Sequence, residues 1–145
     1  MNMNVISNKL FDYLGLEPID IKYEDLGIED SRFYTRDLYI SINNKYKDND
    51  IELLKCLIHE IRHYYQLICV ALNFDLEPQT KIWKEEFKMN RKNMEPGEDM
   101  CLLIEVDAYA FTKYILKKWF DYDYHHHDSN YDMVLDELIN KLYYY

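Results

Sequence analysis

Hydrophobic positions along the chain change spacing several times, and each change predicts an element. Residues 3 to 14 place Ile6, Leu10, Tyr13 and Leu14 near one face of a short helix that Gly15 and Pro18 end. Ile19 to Leu26 alternate as a strand does, and Arg32 to Ile42 carry two short β-rich runs with a tight turn near Arg36 and Asp37, closed by Asn43 and Asn44. A small antiparallel or mixed sheet of two or three strands follows. A long helix then begins near Asn49 or Asp50 and runs to about Leu72. Leu54, Leu57, Ile58, Ile61, Tyr65, Ile68 and Leu72 fall on the side opposite His59, which sends that side toward the core.

The pattern weakens over Asn73 to Thr80, where Pro78 marks a connection, and a less regular helix is expected over Lys81 to Lys92. Glu95 to Asp99, EPGED, reads as a turn before a second strong helix from Met100 to about Trp119. Asp121 to Asn130, DYDYHHHDSN, is a polar loop. Ser129 is placed to cap a last helix through Leu142, with Asp132 at the third position of a capping box. The expected class is therefore α+β, one domain over residues 1–145, with a small sheet against a buried helix and further helices toward the C-terminus.

Composition narrows the partners. Of the 145 residues, 48% are hydrophobic and 30% charged, which suits a packed domain rather than a disordered chain. The 17 basic and 27 acidic side chains give a formal charge of −10, so a phosphate backbone is repelled at long range and nucleic acid is not an expected partner. Cys56, Cys69 and Cys101 are odd in number and widely spaced, which argues against a disulfide framework and for a reducing, cytoplasmic setting. No signal-like start is evident. The most apolar stretch, Leu53 to Leu72, is broken by Lys55, His59, Glu60, Arg62, His63 and Gln66, so no membrane span is expected.

That stretch also holds the candidate chemistry. LIHEIRHYYQ, Leu57 to Gln66, sets His59, Glu60 and His63 in the order H-E-x-x-H. On a helix the two histidines project from one face a turn apart, so two imidazole nitrogens can reach one ion at about 2.0–2.1 Å. Glu60 is rotated about 100° from His59, beside the pair, where a general base can reach water without displacing it. A helix that happens to carry these residues is the plain alternative. Against it stands the apolar setting, in which unpaired His and Glu are costly to bury.

Two ligands leave a zinc site incomplete. Glu105, in IEVDAYAF (Ile104 to Phe111), is the candidate third ligand on another helix, with small Ala108 on a similar face and Tyr109 one turn on. Asp107 points about 200° away from Glu105 and is not expected at the site. Taken alone, Glu105 reads as a solvated surface carboxylate, and Cys101 is the alternative third ligand. The loop histidines His125, His126 and His127 read as a second metal site, as solvated residues, or, with Tyr122 or Tyr124, as the source of a donor to an oxyanion. Arg62 and Gln66 share the histidine face and are expected to pair with a carboxylate or to line the cleft, with pairing favoured for Arg62. The tyrosines, Tyr143 to Tyr145 among them, fill the core and rim or form contact surfaces.

H-E-x-x-H on one helix, followed by E-x-[DE]-A-x-x-F on a later one, resembles the zincin metallopeptidases whose third ligand is glutamate. Within these it is most similar to the small ImmA/IrrE-type proteins associated with mobile elements and stress-response regulation. Strand, turn, HEIRH helix, connection and EVDAYAF helix follow that family's order over about residues 35 to 119. The resemblance implies a minimal zincin fold, zinc (Zn2+) held by His59, His63 and Glu105, Glu60 as catalytic base, and a protein or peptide substrate. Tyr109 departs from it, since many relatives carry Asn or Asp there. A rival expectation is a regulatory binding module that keeps the zincin shape with little or no hydrolysis.

Overall fold

Asn2 opens the first helix because its side chain accepts the otherwise unpaired N–H groups of Asn4 and Val5 at 3.0 and 3.4 Å. This helix, α1 (Met3–Leu14), ends at Gly15, whose φ of +70° lets the N–H groups of Gly15 and Leu16 turn back onto Asp12 and Phe11. The computed structural model describes residues 1–72, 78–95 and 97–142, and the chain divides into two compact units, Met1–Tyr65 and Gln66–Tyr145. Within the described residues the class is α+β, with five α-helices and one three-stranded sheet. None of the described helices is long and apolar enough to cross a membrane.

In the first unit, β1 (Asp20–Glu24), β2 (Ser31–Tyr34) and β3 (Tyr39–Asn43) form a mixed sheet in the order β1-β3-β2. β1 pairs parallel to β3, with Ile21 opposite Ile40, and β2 pairs antiparallel to it, with Phe33 opposite Ile40. The turn expected near Arg36 and Asp37 joins β2 to β3, and the Leu38 N–H closes it on Tyr34 O at 2.9 Å. Ile40 and Ile42 of the central strand are fully buried. On the opposite face Tyr34 and Tyr39 stack at 4.2 Å, with Lys22 over the Tyr39 ring and Arg32 over the Tyr34 ring. Asn43 ends the sheet by donating to Gly27 O and Glu29 O while accepting the Lys45 N–H.

The long helix α2 (Asp50–Ala71) starts where Asn49 accepts the Glu52 N–H, and Asp50 and Glu52 in its first turn suit the positive helix end. Leu54, Leu57, Ile58 and Ile61 are buried as expected, but Tyr65 and Ile68 are half-buried and Leu72 is exposed. Burial also reaches the other faces, taking in Leu53, Cys56 and Tyr64. Tyr64 meets Phe11 of α1 and Phe33 of β2, and its hydroxyl donates to Glu17 O at 2.9 Å. Burial on more than one face means that a single apolar stripe underestimates how much of this helix is enclosed.

In the second unit the boundaries differ from expectation for identifiable reasons. The connection expected over Asn73 to Thr80 lies outside the described residues up to position 77, as do Tyr143 to Tyr145. Helix α3 (Pro78–Phe87) begins at the proline instead of after it, because the first turn needs no donor from that nitrogen. It stops before Lys92. Lys88 and Met89 already donate back to Glu85 and Glu86, and Asn90 caps a one-turn helix, Arg91–Asn93.

Helix α4 (Leu103–Phe120) begins three residues later than expected, after a separate turn at Glu98–Cys101. Its first N–H groups, Leu103 and Ile104, donate to the two oxygens of the buried Glu86 carboxylate at 2.8 and 3.0 Å. Helix α5 (Ser129–Leu142) is capped by Asp128, which accepts from Asn130 and Tyr131, so Ser129 is inside the helix and not its cap. Val106 and Ala110 of α4 pack with Leu135 and Ile139 of α5, flanked by Tyr109, Tyr114, Tyr131 and Leu138. Lys113 ties the same two helices, reaching Asp132 and Asp136 at 2.8 Å each.

Candidate metal centre

Helical spacing on α2 brings His59 and His63 together as the motif requires. Their Nε2 atoms are 3.1 Å apart, with ring planes at 85° and centroids 4.7 Å apart. Glu60 joins them, and ligand atoms of His59, Glu60 and His63 all lie within 4.8 Å of one another. His63 and Glu60 are buried and His59 is half-buried.

The donor set could hold a metal ion. An ion about 2.0–2.1 Å from each of two nitrogens that are 3.1 Å apart subtends an angle of about 100°, close to a tetrahedral ligand angle. Imidazole donors with a carboxylate suit a transition-metal ion rather than calcium or magnesium, which take all-oxygen sets.

The other residues singled out by the sequence fall as follows. Glu105 belongs to the second unit, buried in the first turn of α4, where Arg91 Nη1 donates to its Oε1 at 3.1 Å. Cys101 is exposed in the turn before α4. Asp107 is buried and accepts from Gln66 Nε2 at 2.8 Å, and the same nitrogen donates to Ile104 O at 2.9 Å. Gln66 thus pairs with a carboxylate, and the Arg62 guanidinium lies 4.4 Å from the Tyr65 ring centroid.

The three loop histidines diverge. His126 is buried against Tyr109 and Tyr131 with His127 stacked on it, whereas His125 and His127 face solvent. Nδ1 of His126 accepts the Asp128 N–H, and burial, reinforced by His127, lowers its pKa below the usual imidazole value. His125 reaches Asp132, whose carboxylate also takes the His126 N–H and the Lys113 ammonium. This loop serves as the entry to α5.

Arg91 and Glu86 were not legible as site or cap residues. Both act across 14 or more positions, at separations of 14 and 17, and no local pattern marks such partners. The one available signal is that Arg91 and Lys92 form a basic pair in a chain of net charge −10. Comparison with protein-family models, with curated protein sequences and with solved structures gave no match.

Proposed function

We propose that this chain is a zinc-dependent peptidase of the zincin type, similar to the ImmA/IrrE-type proteins, acting on a protein or peptide substrate. The observation that carries the reading is the convergence of the His59 and His63 Nε2 atoms, with the Glu60 carboxylate in the same cluster. His59 and His63 would hold the ion from α2. Glu105 is assigned as third ligand on its E-x-D-A setting, and its burial in α4 supports a carboxylate that is more than surface decoration.

When bound, the ion supplies Lewis acidity, which polarises a carbonyl and makes water acidic enough to lose a proton near neutral pH. Glu60 takes that proton on its carboxylate as the water oxygen bonds to the scissile carbonyl carbon. It then delivers the proton to the amide nitrogen as the C–N bond breaks and the amine leaves. One residue thus serves as base and then acid, and the protons balance. Positioned proton transfer of this kind contributes about 10²–10⁴-fold in rate.

The test compares wild type with Glu60→Gln in two measurements: zinc per chain by elemental analysis, and cleavage of a mixed library of unstructured peptides by mass spectrometry. The expected result is equal zinc and a cleavage rate at least ~100-fold lower in the variant. Equal cleavage by the two proteins overturns the role of Glu60. Full zinc content in a His59→Ala, His63→Ala double variant overturns the site.

A further inference from the structure

We propose that Arg91 is a positioning residue that orients the Glu105 carboxylate for metal binding. The inference rests on the reading of Glu105 as third ligand and adds the group that acts through it. Arg91 Nη1 donates to Glu105 Oε1 at 3.1 Å, and the two side chains differ sharply in exposure, 40% for the arginine and 9% for the glutamate. The arginine therefore reaches in from a solvated base to a carboxylate that is almost enclosed.

Both ends of this contact are anchored by backbone. Arg91 begins the one-turn helix Arg91–Asn93, held by the Asn90 side chain on the Lys92 N–H and by the Met94 N–H on Arg91 O. Glu105 sits in the first turn of α4, its N–H donating to Leu102 O at 3.0 Å, on a helix start that Glu86 fixes. With one oxygen held by a guanidinium, the plane of the carboxylate is set, and so is the direction of its second oxygen. A positive partner also offsets the cost of keeping this carboxylate ionised while buried.

An ion pair with a purely structural role would affect stability and leave metal affinity unchanged. A partner that orients a ligand changes metal affinity about 10–100-fold when removed. The two roles are separable by experiment.

The experiment measures zinc affinity at one fixed pH by competition with a chromophoric chelator, together with the urea midpoint of each metal-free protein. The proteins are wild type, Arg91→Ala, Arg91→Lys, Lys92→Ala and Glu105→Ala. Arg91→Ala is expected to bind zinc about 10–100-fold more weakly, Arg91→Lys to recover part of the loss, and Lys92→Ala to match wild type. If Arg91→Ala retains wild-type affinity while Glu105→Ala loses it, the role of Arg91 is overturned and Glu105 remains the ligand. A shift in the urea midpoint of Arg91→Ala with no change in its zinc affinity overturns that role equally. If Glu105→Ala binds zinc as tightly as wild type, the ligand assignment fails and this inference goes with it.

Discussion

Gln66 and Asp107, 41 residues apart in sequence, meet at 2.8 Å inside the second unit, and the amide nitrogen that makes this contact also donates to Ile104 O. Both acceptors share one buried donor. Replacing Gln66 with Leu removes two donated bonds from polar groups shielded from water, a loss of about 1–3 kcal/mol. Gln66→Glu is expected to be worse at neutral pH, since it sets a second carboxylate against Asp107. Urea unfolding of the two variants beside wild type measures both effects, and the ordering of Glu below Leu is the discriminating result.

The start of α4 depends on a carboxylate from another helix. Glu86 accepts the Leu103 and Ile104 N–H groups that no intrahelical carbonyl can reach. Glu86→Ala should cost about 1–2 kcal/mol, in the range of a lost helix cap. Glu86→Gln keeps one acceptor and gives up the charge that suits a helix N-terminus, so its loss should be smaller. Equal losses in thermal unfolding would show that the charge, and not the acceptor, is what matters.

Acid stability turns on Asp132. Burial alone would raise its pKa, but hydrogen bonds from Lys113, the His126 N–H and His125 outweigh that and hold it at about 2. A carboxyl whose folded pKa lies below its unfolded value stabilises the fold fully above the unfolded value, near 3.9, and loses that contribution as pH falls through about 2. Asp132→Asn is therefore expected to lower stability at pH 7 and to flatten its decline between about pH 4 and 2. Urea midpoints for both proteins across that window give the answer.

The cysteines should differ in reactivity. Burial pushes the Cys56 thiol up to about 12, so thiolate is scarce at neutral pH, and Cys69 is also buried while Cys101 is exposed. Brief treatment of the folded protein with iodoacetamide at pH 7.5 should modify Cys101 and leave the other two. Peptide mapping reads this directly, and early labelling of Cys56 would contradict the burial described.

How much of this was legible in the sequence depends on the range of the interaction. His59, Glu60 and His63 come together through the helical repeat, so their grouping followed from spacing alone. Gly15 as the end of α1 and Asn49 at the start of α2 likewise rest on short-range backbone chemistry. Glu86, Arg91 and the Gln66 contact with Asp107 were not readable, because each joins elements whose approach is set by packing. Pro78 misled for a local reason: the same missing N–H that breaks a helix interior is harmless at its first turn. Asp128 took the cap expected of Ser129, as both residue types can serve and the loop geometry decides.

Among the described residues, the order β1-β3-β2 puts β1 and β2 at the edges of the sheet, where a foreign chain adds itself in other proteins. Both are short, and Lys22 on one and Arg32 on the other sit over tyrosine rings of the shared face. Charge on an edge strand disfavours the pairing of a further strand there. The two edge strands thus each carry a cation seated on an aromatic ring, a feature independent of whatever chemistry α2 performs.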